Sequence, residues 1–311
     1  MADLLAPGSA SPDLARAGSA VGGTGSGRGR RSRDYLAMLP FLGYVALFLL
    51  IPTLIVVVGA FLDDSGQPTL DNVRVVLGES AYLESFVRSI QLSVVTALAG
   101  ATLGALLAWA VAAGGPGGAI RQVVVAASGV LAQFGGVMLA FAFLATFGFG
   151  GLVTVLFSKV VGLDLLSGGG WIYGLGGLAV VYTYFQIPLM VIVFLPALDG
   201  LRQEWWEASA SLGGSSWSFW RHVGGPILAP SFLGATLLLF ANAFSAYATA
   251  AALVSQGSPI VPLQIRTALT SEVVVGQANV GKALALGMIL IVAIVMSLYA
   301  LLQRRASRWL R

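Results

Sequence analysis

The stretch from Glu204 to Pro230 reads EWWEASASLGGSSWSFWRHVGGPILAP and sits between two long apolar runs. It is too polar to cross a bilayer and too aromatic for a plain solvated loop, since it holds Trp205, Trp206, Trp217, Phe219 and Trp220. Good helix formers over Leu201–Leu212 predict a short helix after the Asp199-Gly200 turn. Gly213 and Gly214 then end it, because glycine enters the left-handed region without the steric penalty of a Cβ. Ser215 suits the N-cap of a second helix through His222, and Gly224, Gly225 and Pro226 predict its stop. The pattern is helix, sharp turn, helix, lying along a membrane face, and its aromatics suit either anchoring in the lipid interface or docking into a groove on a partner.

The surroundings make it a membrane protein. Of 311 residues, 57% are hydrophobic and 10% charged, with mean hydropathy +0.88. Soluble domains carry about 25% charged residues, so the chain falls in the integral membrane class. The 40 glycines suit close helix packing in lipid. There is no Cys, and His222 is the one His, which excludes thiolate sites, disulfides and a histidine metal cluster. Neither a metal nor another cofactor is expected. The net charge of +4 comes mostly from Arg near the two ends and reads as membrane orientation rather than nucleic-acid binding.

Residues 1–33, rich in Gly, Ala, Ser and Arg, read as a disordered tail, and 34–311 as one transmembrane domain. Length and hydropathy predict six spans: Met38–Leu62, Ile90–Ala113, Val123–Phe147, Trp171–Leu198, Ile227–Ala252 and Ala283–Leu302. The first core is about twice as long as a signal peptide's. The run Leu152–Val161 is too short to cross and reads as interfacial or re-entrant, a seventh span remaining the alternative. Six spans put both ends on one side. On that side lie Arg121, Arg202, Arg221 and the Arg-rich ends; opposite lie only Arg74, Arg88, Lys159, Arg266 and Lys282, with most of the acids. The positive-inside rule then predicts both termini, and the segment 199–226, in the cytoplasm.

No Asp, Glu, Lys or Arg falls in the middle of a span, which argues against a proton-coupled carrier; sodium coupling through backbone carbonyls stays open. The neutral polar groups include Gln133, Tyr182, Tyr184, Gln186, Asn242 and Tyr247, candidates either for a lined passage or for helix-to-helix hydrogen bonds. Gly100 and Gly104 form a GxxxG pair read as packing. Gly276–Lys282 spells GQANVGK, close to a phosphate-binding loop, but Ala283 replaces the Mg²⁺-holding hydroxyl and a membrane helix follows. It reads as coincidence.

Glu207-Ala208-Ser209, then Gly213, an aromatic at Trp217 or Phe219, Arg221, Val223 and Pro226 resemble the EAA motif of ABC-type importer permeases. Ser209 replaces the second Ala of that motif and Gly225 its usual Leu; the resemblance spans residues 38 to 303. It implies an all-α, six-span permease of the type I ABC importer fold in the inner membrane, with no catalysis of its own. It further implies a second homologous permease, an ABC ATPase dimer and an extracytoplasmic solute-binding protein as partners. Residues 199–226 would be the coupling segment seated in an ATPase groove, with Glu207 paired to a basic group, Gly213 making the turn and the aromatics filling the groove. The fifth span, FANAFSAYATAAALVSQG, most resembles spermidine/putrescine permeases; iron, thiamine, sulfate and sugar permeases are the alternatives. An ion-coupled secondary transporter is the rival class, against which no matching pair of broken helices is legible.

Overall fold

The computed structural model describes residues 39–115, 117–160, 162, 170–254, 260–270 and 277–306; the expected disordered tail lies outside them. The chain divides after Leu54 into two units, each taken by itself. Helix α1, Leu39–Gly59, supplies the described part of the first and runs on past Leu54, and no side chain from Leu39 to Leu54 is buried. It passes through Pro52 by way of a π turn, Ala46–Leu50, closed by the Ile51 N–H on Ala46 O. A proline collides with the carbonyl four residues back, here Phe48, and a widened turn opens room for the ring.

The second unit contains α2 (Asp71–Gly78), α3 (Ser80–Ala113), α4 (Ala119–Gln133), α5 (Gly136–Phe147) and α6 (Leu152–Val160). After a 3₁₀ turn at Trp171–Tyr173 come α7 (Leu175–Asp199), α8 (Gln203–Ser211), α9 (Ser216–Ser245), α10 (Ala248–Leu253), α11 (Val261–Thr270) and α12 (Gln277–Ala306). Six helical stretches are long and apolar enough to cross a membrane: Leu39–Gly59, Ser80–Ala113, Gly136–Val160, Leu175–Asp199, Ser216–Ser245 and Ala278–Leu302. This is an all-α, multi-pass membrane protein.

The core forms where α3, α7 and α9 meet, around Ala97, Ala101, Met190, Phe194, Leu239 and Phe244. Lipid supplies no hydrophobic drive for helices to associate, so close contact between small residues has to hold them. The GxxxG pair does this. A Cβ on Gly100 would fall 2.6 Å from Gln186 Cβ, and one on Gly104 2.5 Å from Met190 Cβ and 2.7 Å from Ile187 O. Across this seam Gln186 Nε2 donates to Thr96 Oγ1 at 2.9 Å.

Three expectations are corrected. The third apolar run is not one helix: α4 stops at Gln133, and α5 restarts at Gly136, whose φ of 73° no ordinary residue holds cheaply. The two pieces together run antiparallel along α7. Arg121 at the start of α4 makes a two-point ion pair with Asp199 at the end of α7 (Nη1 to Oδ1 3.0 Å), while the Phe149 N–H just past α5 donates to Tyr173 Oη beside the start of α7 at 3.2 Å. The fifth run breaks as well, since α9 ends at Ser245 with Ala246 extended before α10. Lastly, the helix does not stop at Gly224–Pro226. It continues through a second π turn, Trp220–Gly224, closed by the Gly225 N–H on Trp220 O, and Pro226 is accommodated as Pro52 is. Gly225 allows this turn, because a Cβ there would lie 2.4 Å from Trp220 O.

The short run at 152–160, expected outside the spans, is a nine-residue helix that falls with α5 inside the crossing-length stretch Gly136–Val160, whereas the expected third span was Val123–Phe147. The GQANVGK stretch is no nucleotide loop: from Gln277 it is the first turns of α12. Its polar groups fasten a neighbouring loop. Asn279 Nδ2 donates to Asp64 Oδ1 at 2.9 Å and Lys282 Nζ to Asn279 Oδ1 at 2.8 Å, while Asn72 Nδ2 donates to Leu62 O at 2.8 Å.

Candidate functional site

Two places concentrate the residues singled out by sequence, one at the α8–α9 turn and one inside the membrane where the two helix breaks meet.

Helix α8 ends in a Schellman motif. The Gly214 N–H donates to Ser209 O at 2.9 Å and the Gly213 N–H to Ala210 O at 2.9 Å, with Gly213 at φ 77°. Ser215 then caps α9, its Oγ accepting from the Ser218 N–H at 3.3 Å. No residue of α8 is buried. What braces it is the aromatic pair Trp206 and Phe219, edge to face at 4.7 Å, with Phe219 in turn 5.7 Å from Trp220. The aromatics of this segment therefore divide. Phe219 is buried inside the chain, whereas Trp217 is 73% and Leu212 90% exposed.

Glu207, Ala208, Arg221 and Pro226 are exposed too, and Ser209 is half-buried. The Glu207 carboxylate accepts from Gln203 Nε2 at 3.0 Å. Trp205, Ala208, Ser209, Leu212, Val223 and Ile227 line an open cavity of about 460 Å³ between α8 and α9. The arrangement is an apolar relief with two carboxylates, Glu204 beside Arg202 and Glu207, standing out from the end of the bundle where Arg121 meets Asp199.

At the other place, the α4–α5 break lies against the α9–α10 break. Thr249 Oγ1 donates to Gly136 O at 3.2 Å, and Tyr182 Oη to Ala246 O at 2.6 Å, tying both irregular segments down. Between them is a cavity of about 310 Å³ lined by Gln133, Phe185, Asn242, Ser245, Tyr247 and Thr249, among others. α4 is about 22 Å long and α5 about 18 Å, and together they run from Asp199 to Tyr173 along α7, so the cavity sits near the middle of that helix's length. Gln133, Asn242, Ser245 and Tyr247 are exposed at that depth. Polar side chains and broken backbone at membrane depth are tolerated where they meet water or protein, not hydrocarbon.

Of the six candidate passage residues, Gln133, Asn242 and Tyr247 come together here. Tyr182 and Gln186 have no exposed surface and serve helix packing. Tyr184 stands on the exposed face of α7, edge to face with Phe143 at 5.6 Å. The sequence reading passed over Gly135 and Gly136, although a Gly pair two residues after Gln133 was the available signal of the break.

Among solved structures, a chain of a bacterial ABC transporter involved in the import of the acidic polysaccharide alginate superposes with TM-score 0.69, covering 90% of this chain and 96% of that one at 16% identity. A chain of the bacterial alginate ABC transporter, in complex with its alginate pentasaccharide-bound periplasmic protein, gives 0.65 over 91% and 96% at 15% identity. This is the ABC importer permease fold. Sequence agrees with it over shorter stretches. The probable starch degradation products transport system permease protein AmyD of Thermoanaerobacterium thermosulfurigenes is 27% identical over 137 residues, 41% of this chain and 45% of that protein. The thiamine transport system permease protein ThiP of Escherichia coli (strain K12) is 32% identical over 77 residues, 25% of this chain and 14% of that protein. The chain thus spans less than half the length of these curated relatives. No family model matches it.

Proposed function

We propose that this chain is the membrane-spanning subunit of an ATP-driven, binding-protein-dependent importer. It forms the solute path with a second permease and couples through Glu204–Pro226 to a separate ATPase. The observation that carries this reading is the Schellman-closed turn at Gly213-Gly214, which presents an unburied helix and the exposed Leu212 and Trp217 outside the bundle. An exposed Trp217 on an ordered segment at a membrane face suits either the lipid interface or a partner's groove, and the EAA-like residues beside it favour the groove. Within the EAA-like segment, Glu207 supplies the charge that pairs with the ATPase, and Ala208 keeps the contact face flat. Arginine asymmetry supports a cytoplasmic position for this end and both termini, on the side where ATP is. The opposite end, with α2, α11 and the Asp64–Asn279–Lys282 ties, receives the solute-binding protein.

The paired helix breaks favour a second reading, because discontinuous helices at membrane depth are also how ion-coupled carriers build their sites. Such a carrier needs no nucleotide. One experiment separates the two: purify the chain with its ATPase, reconstitute, and compare wild type with Glu207→Lys. Charge reversal at a buried interface is expected to cost several kcal/mol and release the ATPase while the chain stays folded. ATP-independent uptake driven by a sodium gradient, unaffected by Glu207→Lys, would refute the importer reading.

A further inference from the structure

The cavity where the two helix breaks meet has a chemistry that narrows what it admits, and we propose that it is a solute subsite selective for uncharged, hydroxyl-rich molecules. The inference rests on the permease reading and adds the class of solute.

Charge is what the cavity lacks. Among the described residues, no Asp, Glu, Lys, Arg or His lines it. The helix ends do not substitute for a charge. Each break sets one helix C-terminus against one N-terminus, α4 against α5 and α9 against α10, so the partial charges of the ends offset. An ion entering would lose hydration worth several kcal/mol and find no counter-charge.

For a neutral polyol the balance is different, because its lost water contacts can be replaced one for one. The amides of Gln133 and Asn242 each offer two N–H donors and a carbonyl acceptor. The Ser245 hydroxyl is committed as a donor to Ala241 O at 2.9 Å and that of Thr249 to Gly136 O, which leaves their lone pairs to accept. The Tyr247 ring and the edge of Phe185 supply the apolar wall that the C–H face of a ring polyol needs. At about 310 Å³ the space is at the small end of ligand pockets. Gln133, Asn242, Ser245 and Tyr247 are all exposed in this chain, so solute can reach them. The polyamine expectation drawn from the fifth span finds no carboxylate here to meet an ammonium.

Because the chain contains no Cys, a single introduced thiol reports on the cavity alone. Ser245→Cys, in lipid nanodiscs open to both faces, would be treated with hydroxyethyl, trimethylammonioethyl and sulfonatoethyl methanethiosulfonates. Ser65→Cys, in the exposed loop after α1, corrects for intrinsic reactivity. The neutral reagent should be favoured over either charged one by about tenfold or more at Ser245→Cys relative to Ser65→Cys, the scale set by placing a charge at membrane depth. At least one of maltose, trehalose and myo-inositol should slow the reaction, and spermidine and glucuronate should not. Adding Asn242→Asp should swing the preference toward the cationic reagent. Equal ratios at the two sites, protection by spermidine or glucuronate, protection by none of the polyols, or no swing with Asn242→Asp would each overturn the proposal. If Ser245→Cys fails to fold, Asn242→Cys takes its place in the rate and protection series, with Gln133→Glu replacing Asn242→Asp. ATPase capture by the wild-type chain, measured alongside, keeps the two readings apart: capture with a failed cavity result removes only the subsite, and loss of capture removes only the importer.

Discussion

The α8–α9 turn gives the sharpest test of coupling, because both of its glycines are required and for different reasons. Gly213 has open space around its Cα, so its constraint is purely the φ of 77°. A Cβ in the left-handed region costs roughly 1–2 kcal/mol, and a β-branched residue sits at the upper end. At Gly214 φ is ordinary but space is absent: a Cβ would lie 2.8 Å from Ser209 O, the acceptor of its own N–H bond. The Ser209 hydroxyl, at 2.7 Å, can rotate away; the carbonyl cannot move without breaking the bond. Gly214→Ala therefore loses about 1 kcal/mol of hydrogen bond plus the strain of the displaced carbonyl.

Against either loss stands little more than the Trp206–Phe219 contact, about 1 kcal/mol, since nothing in α8 is buried. A shift of about 2 kcal/mol changes the population of the closed turn roughly 30-fold, enough to swing α8 away while the spans keep their own hydrogen bonds. Both Gly213→Val and Gly214→Ala should insert normally, become protease-sensitive near residue 213, and lose binding-protein-stimulated ATP hydrolysis with the cognate ATPase. Gly213→Asn, which tolerates the left-handed region, should keep most of it. Full stimulation in both Gly213→Val and Gly214→Ala would refute the coupling role of the turn.

Four further expectations can be checked directly. Gly104→Leu should wedge α3 from α7 and lower the melting temperature or yield of monodisperse protein, whereas Gly129→Ala, with nothing near its Cβ, should be neutral or stabilising by up to about 1 kcal/mol. Trp217→Ala should leave stability unchanged and weaken ATPase capture by about 2 kcal/mol, while Phe219→Ala should destabilise the chain itself by about 3–5 kcal/mol. In intact cells an impermeant thiol reagent should label Ser65→Cys and spare Ser216→Cys; the reverse would invert the orientation. Asp63 accepts from the Ser65 hydroxyl and the Gln67 N–H, which hold its carboxyl below the usual range. A lowered folded value means its hold on the 63–67 loop persists at and above ordinary carboxylate values and is lost as pH falls through the lowered one. Protection of the Gln67 N–H from amide exchange should therefore be unchanged between about pH 7 and 5 and fall only under strong acid.

What the sequence showed and what it hid divide along physical lines. The number of spans and five of their places were legible because hydropathy is additive over about 20 residues; the third, expected at Val123–Phe147, is displaced to Gly136–Val160. The Gly213 turn and the Ser215 cap were legible because each is a local choice, decided by one residue's backbone freedom or one hydroxyl. The GxxxG seam at Gly100 and Gly104 was legible for the same reason: the spacing itself places both residues on one helix face. The break at Ala246 was hidden, and that at Gly135-Gly136 was marked only by its glycine pair. Apolar composition runs straight through both, and what stabilises the interruptions is long-range, the Thr249 bond to Gly136 O and the Tyr182 bond to Ala246 O.

The two prolines show why a local rule fails inside a membrane. Pro52 and Pro226 each stand two residues after a π turn, Ala46–Leu50 and Trp220–Gly224, and each turn contains the carbonyl four residues back that the ring would strike. In water the chain could end the helix and solvate the freed carbonyls. In hydrocarbon or at its edge, every unsatisfied carbonyl costs several kcal/mol, and at these two prolines a few hydrogen bonds shift from i−4 to i−5, whereas Pro188, Pro196 and Pro230 sit within α-helix. The consequence for coupling is specific. Because the helix continues from Ser216 to Ser245, Trp217 on the proposed ATPase contact and Ser245 in the membrane cavity lie on one continuous helix, roughly 40 Å apart along its axis, with the π turn Trp220–Gly224 and Pro226 near its start. A tilt imposed on α9 at the turn would be passed on where the π turn Trp220–Gly224 stays stiff, and beyond it the α9–α10 break, held by the Tyr182 bond to Ala246 O and the Thr249 bond to Gly136 O, is the next place able to yield.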